Sequence, residues 1–248
     1  MEPGAEQVVA AGLRREWPRP GGPPVVAVAE ASFTVCAGEV LGLLGPNGAG
    51  KTTTLRMLAT LTRPTAGTAI VAGHDVQKAP ARVRASIGYL SATSGLPPRL
   101  TCTEAVRTFA ALQGVPDPRG AAQAAIERHG ISDFAERFVE GLSTGMRQRL
   151  RVACAAVHQP PVLILDEPTA GLDVVAADAL LQDIGRARQA GAAVVFSTHV
   201  LREAERLCDR IAVIDGGRIR AVGSLPELLA RTGRPDLEGA FLALVQAR

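Results

Sequence analysis

The chain is predicted to be an α/β protein with a core of parallel strands, an antiparallel β-subdomain at its N-terminus and a helical subdomain inserted midway. Three observations predict this. In the second half, short apolar runs alternate with segments of helical spacing, as strand–helix–strand crossovers require. Near the N-terminus, two stretches rich in β-branched residues flank a Pro-Gly loop. Between about residues 91 and 160 the texture turns almost wholly helical. A length of 248 residues and 47% apolar composition suit one such domain or two small ones with an ample core.

Taken in order, residues 8–14 and 25–35 are expected to pair as antiparallel strands, because Arg19-Pro20-Gly21-Gly22-Pro23-Pro24 between them breaks any helix. Residues 40–44 form an apolar run ending at Gly45, as a buried strand does. Residues 51–61 have helical spacing, with Leu55, Met57, Leu58 and Leu61 apolar, and residues 68–72 and 87–90 read as strands. The helical stretch from 103 to 157 is broken at residues 114–118 and at Gly141. Strands return at 162–165, 193–197 and 211–214, separated by helices over 174–189 and 200–207. Asp215-Gly216-Gly217 is a hairpin turn leading to a strand at 218–222. The end of the chain, residues 225–231 and 237–247, reads as helix. One domain is expected over 7–225, followed by a short helical tail at 226–248.

The composition excludes several classes. With 27 basic and 24 acidic side chains the net charge is only +3, which argues against a nucleic-acid partner. An aromatic content of 3% is too thin for a base-stacking platform. Cys36, Cys102, Cys154 and Cys208 lie far apart without a Cys-x-x-Cys pair, so they read as small buried hydrophobes in a reducing compartment. The start, Met-Glu-Pro-Gly-Ala-Glu, has no signal-peptide pattern. No apolar run approaches the roughly 20 residues that span a bilayer. A cytoplasmic location is expected, with any membrane role supplied through a partner.

Gly45-Pro46-Asn47-Gly48-Ala49-Gly50-Lys51-Thr52 fits G-x-x-x-x-G-K-[ST] between a strand and a helix. Its glycines let the backbone curl so that N–H groups converge on phosphate oxygens, and the helix adds its positive end. Only two of the 27 basic side chains are lysines, and one falls here, where a compact ammonium fits and a planar guanidinium does not. Thr52 offers a hydroxyl to Mg²⁺, and Thr53 follows it in the binding segment. The only asparagine is Asn47, so guanine recognition through an Asn-Lys-x-Asp run is excluded.

Residues 162–167 form an apolar strand ending in Asp166-Glu167. Asp166 can hold Mg²⁺ through its water shell, and Glu167 can polarise an attacking water. With these residues in hand, the chain resembles the nucleotide-binding subunits of ABC transporters over about residues 7–225. The resemblance rests on an ordered set: the phosphate loop, a signature Leu142-Ser143-Thr144-Gly145-Met146, the acidic strand, a D-loop Ala170-Gly171-Leu172-Asp173, and a histidine in Ser197-Thr198-His199. The loop and signature look most like the branch that includes sodium-export and drug-export ATPases.

The resemblance implies an ATP-hydrolysing subunit that powers a separate transmembrane permease at the inner face of the membrane, with ATP and Mg²⁺ clamped between two such subunits, like or unlike. It implies that Leu142, Ser143, Thr144 and Gly145 engage the nucleotide of the opposing subunit, that Asp173 shapes the dimer interface, and that His199 contacts the γ-phosphate. It implies catalytic roles for Glu167, His199 and Lys51, adenine stacking by Trp17, and permease docking along residues 93–109. Two departures stand out. The family's glutamine after the strand at 87–90 is replaced, the aligned position being Ala92, and Met146 stands in place of the signature glutamine. Arg147, Arg149 and Arg151 read as a solvated face with contacts within the dimer. Two other readings are a soluble ATPase of the repair or translation type without a permease, and a nucleotide-gated scaffold with negligible hydrolysis.

Overall fold

A computed structural model describes residues 4–91 and 95–246 of the chain. All its strands join one ten-stranded sheet. The N-terminal ribbon pairs β1 (Glu6–Trp17) with β2 (Val25–Cys36) antiparallel, and β1 also pairs with β4 (Ala66–Val71), which carries the two-residue β5 (His74–Asp75). The core strands are β3 (Val40–Leu44), β6 (Ile87–Leu90), β7 (Val162–Asp166), β8 (Ala193–Thr198) and β9 (Arg210–Asp215). They run parallel in the order β9-β3-β8-β7-β6. Every residue of β3, β7 and β8 is buried. Their continuous Val/Leu/Ile/Ala runs suit strands covered on both faces.

The antiparallel ribbon is not a separate sheet. The hairpin strand β10 (Arg218–Gly223) pairs antiparallel with β9 on one side and bridges β2 in parallel on the other, joining Arg218 to Glu30. The hairpin strand thus joins the expected antiparallel subdomain to the expected parallel core within one continuous sheet. The helix opening at Lys51, α1 (Lys51–Leu58), stops three residues short of its expected end. Thr60 there adopts φ +61°, a left-handed turn that ends the helical run. Pro80–Ala85 forms the short helix α2.

The middle of the chain folds as α3 (Cys102–Leu112), α4 (Pro118–Arg128) and α5 (Thr144–Ala156) around its own apolar cluster, including Val106, Ile126, Ile131, Leu142 and Leu150. Local chemistry sets each start. Thr101 and Glu104 make a reciprocal cap for α3, Asp117 caps α4 ahead of Pro118, and Ser143 caps α5. The remaining helices are α6 (Val174–Gln189), α7 (Leu201–Leu207), α8 (Leu225–Thr232) and α9 (Leu237–Gln246). Ala247, expected to continue the last helix, lies outside the described residues. Leu228 of α8 and Leu237 of α9 are buried with Ala204 and Val213 against the β9 side of the sheet. Among the described residues no helix is long and apolar enough to cross a membrane. The four cysteines are free, and burial pushes the Cys154 thiol up to about 12, which suits packing and not nucleophilic chemistry.

The helical layer meets α6 through a buried polar cluster. His129, at the end of α4, sets its Nδ1 3.5 Å from Asp183 Oδ2, and Asp183 Oδ1 accepts from Arg186. Burial, with the nearby Arg128, Arg186 and Arg149 guanidiniums, pushes the imidazole pKa down from 6.5 to about 4. The Asp183 carboxylate is already neutralised by Arg186, so it does not hold a second proton on the ring. The unfolded chain therefore binds a proton that the folded chain refuses. The contribution to stability is complete above pH 6.5 and is lost as pH falls towards 4. Its full size is about 3 kcal/mol. Urea unfolding followed by circular dichroism should show a falling midpoint across that window. His129→Gln should make the fall shallower, leaving the share of the half-buried His158, whose pKa is lowered in the same direction, and at the acid end that of Glu227, whose carboxyl is held down by its hydrogen bonds to Ser224. Parallel pH profiles for the two proteins would refute this account.

Candidate active site

The candidate site forms at the carboxyl ends of three neighbouring parallel strands, β3, β8 and β7, where α/β sheets present loops to ligands. The register sets Leu44 beside Thr198 and Ser197 beside Asp166, so the three loops leave the sheet at the same level.

From β3 the chain curls through Gly45 to Gly50. A Cβ at Gly45 would stand 2.2 Å from the Ile214 carbonyl oxygen, and one at Gly50 would stand 2.7 Å from that of Ala27. Gly50 also has φ +105°. Both positions thus need glycine for close backbone approach. The loop folds on itself, Ala49 N–H donating to the Pro46 carbonyl, and rests on the β9–β10 turn, where Gly217 N–H donates to the Ala49 carbonyl at 3.0 Å. Pro46, Asn47 and Gly48 are exposed at the tip. Lys51 then opens α1. It is only 4% exposed, and its Nζ donates to the carbonyls of Gly45 at 2.7 Å and Pro46 at 3.2 Å. Thr52 Oγ1 donates to Asp166 Oδ1 at 3.1 Å, and Thr53 is half-buried beside it.

The acidic pair sits across from this loop. Asp166 is buried and Glu167 half-buried. Glu167 adopts φ +47°, a left-handed conformation that costs a non-glycine residue about 1–2 kcal/mol. Ser197 holds the turn. Its Oγ donates to Asp166 Oδ1 at 2.8 Å and accepts from Glu167 N–H at 3.0 Å. The Glu167 carboxylate consequently lies 3.3 Å from Lys51 Nζ and 3.4 Å from His199 Nδ1. His199 is half exposed, and its turn is braced by Thr198. The Thr198 Oγ1 donates to Glu203 and accepts from Val200 N–H.

The donor set fits a magnesium-bound polyphosphate. The loop runs into the start of α1, and one compact ammonium is held against the loop at the Gly45 and Pro46 carbonyls, a combination that suits phosphate oxygens. A hydroxyl and a carboxylate 3.1 Å apart offer the hard oxygens that Mg²⁺ prefers while it keeps several waters. Beside them, a carboxylate and an imidazole in contact can accept and return a proton.

A second group gathers elsewhere. Ser143, Thr144, Gly145 and Met146 share one open cleft with Gly171, Leu172 and Asp173. Ser143 Oγ accepts from Met146 N–H and Asp173 Oδ1 accepts from Ala176 N–H, so both residues cap helices, α5 and α6, that open at this cleft. Leu142 does not join it; the side chain is buried in the helical cluster. Trp17 ends β1, 41% exposed, opposite Val25 on the strand that borders Gly50. The Arg15 guanidinium covers one face of its ring at 3.9 Å.

Of the three arginines of α5, Arg147 is exposed, as a solvated face requires, while Arg149 and Arg151 are half-buried. Arg147 donates to the Leu142 carbonyl, Arg149 to that of Gly130 and Arg151 to that of Ser91. Arg151 also donates to Gln148, whose amide reaches the Pro168 carbonyl just after Glu167. Sequence reasoning passed over Ser197 as an individual residue and missed Gln148. The polar run at the end of β8 was a signal for the first. Nothing along the chain signalled the second. Ala92 and the start of the expected docking stretch, Thr93 and Ser94, lie outside the described residues.

A family model described as ABC transporter matches residues 28–170. The chain is similar to the ABC transporter ATP-binding protein NatA of Bacillus subtilis, with 38% identity over 88% of this chain and 90% of the relative. It is 41% identical to the doxorubicin resistance ATP-binding protein DrrA of Mycobacterium tuberculosis, over 91% of this chain and 68% of that one. Among solved structures, an ATP-binding subunit of an ABC transporter superposes with a TM-score of 0.84 and 29% identity, covering 96% and 99% of the two chains. A dimeric ATP-binding cassette bound to ADP and Pi shares the fold at 23% identity and a TM-score of 0.80.

Proposed function

The chain belongs to the ABC transporter family, and from that premise we propose that it is the ATP-hydrolysing subunit of an exporter, acting on a separate membrane permease. One observation carries the reading. The Glu167 carboxylate is held in a strained turn between Lys51 Nζ and His199 Nδ1, at 3.3 and 3.4 Å, at the mouth of a phosphate cradle. The relatives' names, one a resistance protein, support export.

In this reading the loop amides and Lys51 bind the β- and γ-phosphates, and Thr52 and Asp166 hold Mg²⁺. The bound ion supplies positive charge to the phosphate oxygens. Glu167 orients a water in line with the γ-phosphate and takes its proton, while His199 and Lys51 steady the charge that develops. Ser197 keeps Asp166 and Glu167 in fixed relation. The cleft of Ser143, Thr144, Gly145 and Asp173 faces the nucleotide of a second ATPase subunit, and closure of the pair is passed to the permease. The chain is then peripheral, on the cytoplasmic side of the membrane. Trp17 keeps one ring face for adenine.

The test is phosphate release from ATP by the purified chain, joined to fractionation of cells that make it. Magnesium-dependent hydrolysis by a chain recovered with the membranes is expected. Binding without phosphate release would replace this reading with a nucleotide-gated scaffold. Hydrolysis by a chain recovered only in the soluble fraction would favour an ATPase without a permease.

A further inference from the structure

Basic side chains are unevenly spread along this chain. Residues 51–90 carry six of them, Lys51, Arg56, Arg63, Lys78, Arg82 and Arg84, against the single acid Asp75. That segment alone exceeds the +3 of the whole chain, so the remainder is net acidic. Lys51 is buried in the phosphate cradle, and the other five are exposed. Among the described residues none of the five is paired with a carboxylate. The Asp75 carboxylate is already engaged, accepting from the Gln77 and Lys78 N–H groups and from the Thr68 hydroxyl.

The fold gathers these cations around the end of α1 that lies away from the phosphate loop. Arg56 is in the last turn of α1. Its carbonyl accepts from the N–H groups of Leu61 and Thr62, which folds the following loop back onto the helix. Arg84 Nη1, from α2, donates to Thr60 Oγ1 at 3.0 Å. Arg63 Nε donates at 3.3 Å to Gln77 Oε1, one residue before Lys78. α2 itself packs against both β5 and β6, the two end strands of the sheet order, so it covers the seam where the sheet curls round. The five cations therefore share one surface. Clustered like charges repel, and an anionic partner relieves that repulsion. Leu61 stands among them, 58% exposed. An exposed leucine gains from entering a bilayer surface and gains little against a fully solvated polyanion.

We propose that this surface binds anionic phospholipid directly, with the five cations over the headgroup phosphates and Leu61 entering the headgroup layer. The inference rests on the reading of the chain as a membrane-peripheral subunit and gives it a lipid contact of its own besides the permease. The length of α1 separates this surface from the phosphate loop, so lipid contact leaves the ATP site open.

Sedimentation of the full chain with vesicles tests this. It involves neither ATP nor a permease, so the ATPase reading stands or falls separately. Vesicles of mixed phosphatidylglycerol and phosphatidylcholine should bind at least about tenfold more tightly than phosphatidylcholine alone, and high salt should release the chain. Each basic side chain at an anionic surface is worth about fivefold. Lys78 and Arg82 make hydrogen bonds through their backbone groups only, so Lys78→Gln with Arg82→Gln should leave the fold intact. That pair should weaken binding to the mixed vesicles at least about tenfold. Arg202→Gln with Arg234→Gln makes the same charge change at exposed residues elsewhere and should cost less than about threefold. Leu61→Asn should cost at least about threefold. Equal affinity for the two kinds of vesicle, equal losses in the two double variants, or unaltered binding in Leu61→Asn would each overturn the proposal. Tighter binding to polyglutamate or to duplex RNA than to the mixed vesicles would assign the surface to another partner and overturn it as well. The comparison of vesicles needs no variant.

Discussion

Glu167→Gln is expected to lower ATP turnover at least about a hundredfold, the usual worth of a positioned general base, while leaving ATP binding intact. The geometry isolates the effect. The backbone of residue 167 is fixed by hydrogen bonds to Ser197, through Oγ at 3.0 Å and through the carbonyl at 3.2 Å. Neither involves the side chain. Glutamine tolerates the left-handed φ of +47° about as well as glutamate, so the turn stays formed. What changes is the acceptor 3.4 Å from His199 Nδ1 and 3.3 Å from Lys51 Nζ, which loses its charge and its ability to take a proton. Lys51 keeps the Gly45 and Pro46 carbonyls, so the cradle stays ordered. The variant should therefore accumulate as an ATP-bound dimer. Phosphate release and gel filtration in ATP measure the two halves of the expectation. Undiminished release would remove Glu167 as the base.

The site and the fold were legible to different depths, for physical reasons. Elements bounded by strong local chemistry could be read off the chain. The helix at Val174–Gln189 starts at an Asp173 cap, and the strand at Ile87–Leu90 is a short apolar run. The turn from β3 into α1 was legible because close backbone approach demands glycine at Gly45 and Gly50 and leaves a fixed spacing. What could not be read depends on tertiary register. Ser197 joins Asp166 to Glu167 only because β8 lies beside β7 with those residues level. The link from Ser91 through Arg151 and Gln148 to Pro168 spans three segments far apart in sequence. Arg151 looks like one more member of a solvated run until the Ser91 carbonyl it meets is known. Leu142 was grouped with its neighbours in the signature, yet its apolar side chain is drawn into the helical core and away from the cleft.

That link bears on the expected departure from the family at Ala92, which lies outside the described residues. Arg151 ties the carbonyl at the end of β6 to α5, and Gln148 ties α5 to the residue after Glu167. A physical path from the helical layer to the acidic turn therefore exists among the described residues without a glutamine at that position.

Lys51→Met is expected to weaken ATP binding by about 10- to 100-fold, because a charge-assisted contact is worth about 1.5–3 kcal/mol. The methionine keeps the unbranched stem in a position that is 4% exposed, so packing at the start of α1 changes little. The more informative companion is Lys51→Arg, which keeps the charge. The ammonium sits 2.7 Å from the Gly45 carbonyl and 3.3 Å from Glu167, in a space bounded by backbone that cannot recede. Gly45 is pinned beneath it by the Ile214 carbonyl. A planar guanidinium needs more width than a tetrahedral ammonium and would push into the cradle or swing out of it. Arginine should therefore fail to restore either binding or turnover, although the chain uses arginine for nearly every other positive charge. Equilibrium titration with ATP distinguishes the outcomes. If Lys51→Arg binds as the unaltered protein does, charge alone suffices and the steric account of this position is wrong.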